Sequence, residues 1–234
     1  MITRQSNIIE SEEALGVTLA VTSSERLENY PNPRSESHRL LAIGSPFLGG
    51  YSGEHYFERV EETCGFLASI AEFKFGIEDL ICWISESRGI KVEIARFNGR
   101  LMAPCVLRVF KDGIGASPHQ DIAGWGRDKP DHWDEFDYQL AVNVYFQVPD
   151  EGGELLLWDL QFSGEEYQKR SQGGYGIPED QLPPANQIVK PEVGDIIAFR
   201  SDRLHAVRPG KGVRCTCACF VGVNTASGRG WMWA

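Results

Sequence analysis

A mainly β fold with flanking helices is predicted by two contrasts along the chain. Between residues 54 and 87, apolar side chains recur at helical spacing: Phe57, Val60, Cys64, Leu67, Ile70 and Ala71, then Ile77, Leu80, Ile81 and Ile84. Such a stripe marks helices that bury one face. From residue 91 onward, short runs rich in β-branched and aromatic residues stand between clusters of Gly, Pro, Asn and Asp, the pattern of strands joined by turns. About eight short strands after a helical half suit a double-stranded β-helix, the jelly-roll or cupin architecture, with an N-terminal helical buttress. At 234 residues the chain reads as one domain, with a helical support region over 1–90, the β core over 91–221 and a C-terminal tail over 222–234.

Residues 1–50 carry mixed signals. Ser11-Glu-Glu-Ala can open a short helix, whereas Asn29-Tyr-Pro-Asn-Pro-Arg cannot continue one, because proline has no amide hydrogen to donate. Gly44-Ser-Pro-Phe-Leu-Gly-Gly is a turn-rich bridge, and Gly76 divides the apolar stripe into two helices. Lys91-Val-Glu-Ile-Ala-Arg-Phe alternates as a strand does, Asn98-Gly99 supplies a hairpin turn, and residues 100–110 form the return strand. Lys111-Asp-Gly-Ile-Gly-Ala-Ser-Pro is glycine-bearing but lacks the Lys-Ser/Thr and helix of a phosphate loop, so it reads as a bend leading into His119. Residues 122–137 are polar and carry Trp125, His132 and Trp133, which makes this stretch a candidate lid with Trp125 and His132 as substrate contacts. In the buried strand over 139–148, Ala141, Asn143 and Tyr145 share a face. The turn after it leads to Glu154-Leu-Leu-Leu-Trp-Asp, where Trp158 is the third candidate substrate contact. Residues 160–187 form a polar insertion and second candidate lid. Strands at 188–189, 196–199, 205–207 and 213–221 complete the core, and the apolar end of the tail either caps the barrel or meets a second subunit in a homodimer.

Composition narrows the function. Hydrophobic residues at 42% and aromatics at 11% supply a sizeable core, and no apolar run reaches the length needed to span a bilayer. The formal charge of −10 opposes a phosphate backbone, which requires clustered Lys and Arg, so nucleic-acid substrates are excluded. Met1-Ile-Thr-Arg-Gln-Ser-Asn lacks the basic-then-apolar order of a secretion signal, and a cytoplasmic location is expected. Of the six cysteines, Cys215, Cys217 and Cys219 alternate along one strand. They therefore share a face, opposite Arg214 and Thr216, as small apolar thiols packed against a helix.

The chemistry is concentrated in residues 118–220. In His119-Gln120-Asp121 the imidazole and the carboxylate point the same way along an extended strand while Gln120 points away. His205 adds a second imidazole after the turn and strand of Gly194-Asp-Ile-Ile-Ala-Phe. Two His and one carboxylate on one face of a metal leave the opposite positions open, as in non-haem Fe(II) oxygenases. Arg214, nine positions further on, offers the planar fork that pairs with an anionic co-substrate.

With Gln139-Leu-Ala-Val-Asn-Val-Tyr-Phe, Lys190-Pro-Glu-Val-Gly-Asp and Leu204-His-Ala-Val-Arg-Pro-Gly-Lys-Gly-Val-Arg following His119-x-Asp121 in order, residues 106–221 resemble the 2-oxoglutarate and Fe(II)-dependent dioxygenases of the prolyl-4-hydroxylase-like branch. The resemblance implies that His119, Asp121 and His205 are catalytic iron ligands and that Arg214 pairs with the distal carboxylate of 2-oxoglutarate, with Arg108 and Arg208 as the other available cations. Thr216, Asn143 and Tyr145 are further candidates for binding the co-substrate. Arg214-x-Thr216, in place of the Lys usual in prolyl hydroxylases, favours a small-molecule substrate such as an amino-acid derivative or natural-product intermediate. The resemblance further implies O2 as oxidant, succinate and CO2 as co-products, and hydroxylation of an unactivated carbon, with desaturation, cyclisation and epimerisation open as other endings. A cupin-type metalloenzyme or binding barrel without 2-oxoglutarate is the other reading; the paired Arg214 and Thr216 argue against it. Related halogenases carry Gly or Ala in place of the carboxylate ligand, so Asp121 predicts a hydroxylase.

Overall fold

The computed structural model describes residues 2–29, 40–44, 47, 54–70, 74–126 and 128–234. The proline stretch at 29–34 and the bridge at 44–50 lie outside them except for Asn29, Gly44 and Phe47. The chain begins with β1 (Ile2–Gln5) and α1 (Ser11–Thr22), then β2 (Glu28–Asn29), β3 (Leu40–Ile43), α2 (Glu54–Ser69) and α3 (Ile77–Arg88). The first ninety residues thus contribute strands as well as helices. In α1 the buried positions Ala14, Val17, Thr18 and Val21 follow the spacing of a single helical face. Gly76 is the N-cap of α3, where its amide donates to Asp79 Oδ2 at 2.9 Å, and Gly89 closes the same helix in the left-handed region at φ 63°.

The middle of the chain holds β4 (Lys91–Ile94), β5 (Arg96–Phe97), β6 (Arg100–Leu101), β7 (Val106–Phe110), β8 (Ala116–His119), β9 (Tyr138–Gln147), β10 (Glu151–Gly152), β11 (Leu155–Leu157) and α4 (Gly164–Arg170). It is followed by β12 (Gln187–Val189), β13 (Ile196–Arg200), β14 (His205–Val207), β15 (Gly210–Lys211), β16 (Arg214–Asn224) and β17 (Arg229–Trp233). A nine-stranded sheet runs β1-β13-β9-β16-β7-β3-β2, with β17 on β16 and β4 on β17. A four-stranded sheet, β12-β11-β14-β8, covers it. Their inner faces meet where Ala141, Tyr145, Ile197 and Phe199 pack with Leu155. This is the expected jelly roll with helical buttress.

Two strand expectations are corrected. Asn98 and Gly99 both adopt positive φ, 51° and 77°, as a two-residue hairpin turn demands, but the turn joins only β5 to β6. Residues 100–110 do not form one return strand. Pro104 lies in the break before β7, and β4 pairs instead in parallel with β17, from the far end of the chain. The boundary at 221/222 also moves, since β16 continues to Asn224 and turns into β17. Trp231, Met232, Trp233 and Ala234 are buried within the chain, where β17 pairs with β16 and β4.

The outer face of the large sheet carries the main core. Cys215, Cys217 and Cys219 lie there with Leu140, Val142, Val144 and the buried face of α1, as the alternation predicted. Burial of a Leu- or Val-sized side chain is worth about 1.5–3 kcal/mol each, so this layer fastens β9 and β16, the strands whose other face carries the site. Burial also pushes the Cys215 thiol up to about 12. Its sulfur is therefore a neutral packing group.

Candidate active site

His119 and His205 are register partners across β8 and β14, so their side chains lie side by side with ring centroids 4.2 Å apart. Asp121 follows just beyond β8, where its amide donates to the Ser201 carbonyl at 2.8 Å. Its Oδ2 lies 3.5 Å from His119 Nε2 and 3.4 Å from His205 Nε2. Gln120 points the opposite way, donating to the Asp202 carbonyl at 2.9 Å and accepting from Phe162 N at 2.9 Å. That anchor holds the turn between the two flanking ligands.

The outer hydrogen bonds set the histidine tautomers. Nδ1 of His119 meets the Ser117 carbonyl at 2.7 Å, and Nδ1 of His205 meets the Arg203 carbonyl at 2.9 Å. A carbonyl only accepts, so in the neutral ring the hydrogen sits on Nδ1 and both Nε2 lone pairs turn toward Asp121. Three electron-pair donors, all within 4.8 Å of one another, then converge on one point. Octahedral metal–ligand bonds of about 2.1 Å place neighbouring donors about 3 Å apart, close to the spacing seen, so the set fits a divalent metal ion. Burial disfavours charge on Asp121, but the two imidazoles outweigh it and hold the carboxyl well below its usual range. The charge of Asp121 lifts His119 against burial, whereas burial and the neighbouring His119 pull His205 down.

A cavity of about 540 Å³ opens from this cluster across the inner faces of β9, β16 and β7. Cross-strand pairing arranges its wall in rows: Phe110 with Arg214, then Arg108 with Thr216 and Tyr145, then Asn143 with Ala218, then Ala141 with Phe220. Arg214 is only 5% exposed. Its Nη2 donates to the Tyr145 hydroxyl at 3.0 Å, its Nη1 to the Gly153 carbonyl at 3.4 Å, and its guanidinium stacks by Phe110 and Tyr145. Among the described residues its Nε has no hydrogen-bond partner. Arg214 lines the cavity, and a buried guanidinium with one donor unmatched among the described residues is suited to pair with a carboxylate, so the wall fits a dicarboxylate beside the metal-ligand set. Arg208 is exposed and takes no part.

The structure brings together His119, Asp121, His205, Arg214, Thr216, Asn143, Tyr145 and Trp125, all but Tyr145 directly lining the cavity. Two predicted substrate contacts lie elsewhere. Leu157 pairs with His205 and shares its inward face, so the next residue, Trp158, faces outward. It packs with Leu156, Tyr167 and Ile177 and donates from Nε1 to the Pro183 carbonyl at 2.7 Å. His132 meets Glu135 Oε1 at 2.7 Å and stacks on Trp231, away from the cavity. Tyr175, from the glycine-rich stretch of the insertion, sits 5.1 Å from the His119 ring, and Phe199 packs edge-on to His205 at 5.0 Å. Sequence alternation on β13 places Phe199 inward, but nothing local marks Tyr175. Of the two candidate lids, residues 160–187 are firmly packed: Ile177 N donates to the Pro118 carbonyl at 2.7 Å, and a Cβ on Gly176 would fall 2.6 Å from Ser117 Cβ.

A family model described as carrier-protein-independent halogenase WelO5 matches residues 52–234. The L-gamma-glutamyl-L-propargylglycine hydroxylase of Streptantibioticus cattleyicolor is 32% identical over 99 residues, 41% of this chain and 36% of that enzyme; the chain thus spans little over a third of that relative's length. In three dimensions the N-substituted L-amino acid dioxygenase of Burkholderia ambifaria, solved with alpha-KG, superposes with a TM-score of 0.55 at 17% identity, covering 97% of this chain and 84% of that one. HygX from Streptomyces hygroscopicus, solved with nickel, 2-oxoglutarate and hygromycin B, gives 0.52 at 13% identity over 96% and 83%. At these identities the two structures establish the shared fold. Among the described residues no helix is long and apolar enough to cross a membrane.

Proposed function

The chain belongs to the carrier-protein-independent halogenase WelO5 family, within the Fe(II)/2-oxoglutarate oxygenases, and from that premise we propose that it hydroxylates an unactivated carbon of a small molecule. The observation that carries this reading is Asp121, whose carboxylate stands between two imidazoles at 3.4 and 3.5 Å. In halogenases the same place is left without a carboxylate, making room for halide. Here it is filled.

In this reading His119, Asp121 and His205 would hold Fe(II), and Arg214, braced by Tyr145, would take the distal carboxylate of 2-oxoglutarate. Bound together with O2, these groups supply the oxidising power, with succinate and CO2 as co-products. The protein's own part is positional. Ser117 and Arg203 keep both Nε2 atoms aimed inward, Tyr145 orients the guanidinium, and Phe199, Tyr175, Trp125 and Phe220 form aromatic parts of the wall that limit water around the reacting carbon. An amino-acid derivative or natural-product intermediate suits a cavity of this size, and a chain of formal charge −10 does not suit nucleic acid.

The test is turnover of a panel of amino-acid derivatives with Fe(II), 2-oxoglutarate, O2 and excess chloride, read by mass spectrometry and succinate release. A product heavier by one oxygen atom, with succinate in equal amount, is expected. A chlorinated main product would overturn the hydroxylase reading, and turnover without succinate would overturn the co-substrate.

A further inference from the structure

Asp195, just before β13, is a carboxylate at 0% exposure that the proposed function does not use. Its backbone is tied to β9, where Tyr145 N donates to the Asp195 carbonyl at 2.9 Å and Gly194 N to the Tyr145 carbonyl at 2.8 Å. Ile197 and Phe199 point inward from β13, and the same alternation carries Asp195 to the inner face beside Tyr145. Its Oδ2 accepts from the Glu192 amide at 2.8 Å and meets Arg4 Nη2 at 2.8 Å. Among the described residues its Oδ1 has no hydrogen-bond partner. Arg4 stands opposite Ile197 on the edge strand β1, and its Nη2 also lies 3.4 Å from the exposed Glu192 carboxylate.

Across β1, β13, β9 and β16 the inner face therefore carries Arg4, Asp195, Tyr145 and Arg214 in that order, a cation, an anion, a hydroxyl and a cation. The bond from the Glu192 amide requires an acceptor but no charge, since Asn would accept it as well. A carboxylate this deep is costly unless an opposite charge accompanies it, and Arg4 supplies that charge. The four groups lie within electrostatic reach of one another: burial raises the Tyr145 hydroxyl, Arg214 opposes the rise, Asp195 adds to it and Arg4 opposes it. Without Arg4, the bare charge of Asp195 would draw on Arg214 and repel any carboxylate brought to it.

We infer that Arg4 is a positioning residue of the co-substrate seat, which by neutralising Asp195 leaves Arg214 to the distal carboxylate of 2-oxoglutarate, so that the N-terminal strand forms part of the binding site. This rests on the assignment of Arg214 to the co-substrate. The test is calorimetric titration of 2-oxoglutarate into Ni(II)-loaded protein, with Ni(II) affinity measured in parallel and folding verified by circular dichroism. Asp195 and a carboxylate on Arg214 are two strand spacings apart, about 10 Å, where an uncompensated charge at an effective dielectric constant of about 20 weakens an anion's binding roughly tenfold. Arg4→Gln should therefore bind 2-oxoglutarate about tenfold more weakly with Ni(II) affinity unchanged, and Arg4→Lys should retain most of the affinity. Adding Asp195→Asn to Arg4→Gln should return Kd to within about threefold of wild type, a rescue that a purely structural role for Arg4 does not give. Asp195→Asn alone should bind 2-oxoglutarate at least as tightly as wild type, which keeps the test decisive if Arg4→Gln fails to fold. Wild-type affinity in folded Arg4→Gln, a loss that the double variant does not restore, or weaker binding in Asp195→Asn overturns the inference and leaves the Arg214 assignment intact. Unchanged affinity in Arg214→Ala overturns both.

Discussion

Replacing Arg214 by Ala removes the one buried guanidinium held by Tyr145, and the structure sets the size of the effect. The side chain is 5% exposed, its Nη2 is bonded to Tyr145 at 3.0 Å, and the residue lines the cavity. A carboxylate seated there makes a charge-assisted pair largely shielded from water. Truncating one partner of such a pair costs about 2–5 kcal/mol, which at 1.4 kcal/mol per factor of ten is roughly 30-fold to several-thousand-fold in Kd. The lower part of that range is expected, because the other wall of the seat is a cavity and not packed protein. Arg214→Lys should recover part of the loss, since an ammonium keeps the charge but not the fork. Tyr145→Phe, which deletes a single supporting hydrogen bond, should cost about 1 kcal/mol, or some fivefold. The assay is calorimetric titration of 2-oxoglutarate into Ni(II)-loaded protein at fixed ionic strength, with metal affinity measured in parallel. Unchanged 2-oxoglutarate affinity in a folded Arg214→Ala protein would refute the assignment and with it the reading of the β16 wall.

Three further outcomes are expected. Saturation with Ni(II) at about a hundred times its Kd should stabilise the fold by about 2.7 kcal/mol, a rise of roughly 5–10 °C in Tm for a chain of this size. EDTA should reverse it, and Asp121→Ala should lose both the rise and turnover; an Asp121→Ala protein with wild-type activity would refute the ligand set. Gly222→Ala places a Cβ 2.3 Å from the Phe136 ring, so overpacking should cost about 1–3 kcal/mol, seen as a lower denaturant midpoint with an unchanged slope. Hydrogen exchange on binding a turned-over substrate should slow in residues 122–137, while residues 160–187, already pinned through Ile177, Tyr167 and the Trp158–Pro183 bond, should change little; the reverse pattern would transfer the lid role to the insertion.

The amino-acid sequence by itself determined whatever depends on periodicity or on neighbours in the chain. Two residues along an extended strand return to the same face, so His119 and Asp121 were bound to converge and Gln120 to diverge. The same rule separated Arg214 and Thr216 from the three cysteines and placed Asn143 and Tyr145 inward. The helical stripe, the break at Gly76 and the Asn98-Gly99 turn were legible for the same reason. Tertiary structure decided what depends on pairing between distant strands. Nothing in Lys91-Val-Glu-Ile states that it will lie parallel to β17, more than a hundred residues away, because a strand's edge hydrogen bonds carry no address. Trp158 had the composition of a pocket residue, but the register of β11 on β14, set by Leu157 opposite His205, turned it outward. Arg108 stood in the sequence as one more cation, and only its pairing with Thr216 and its reach toward Phe220 set it apart from Arg214. Side-chain facing repeats every two residues and is a local property, whereas register is chosen by the burial of whole faces at once.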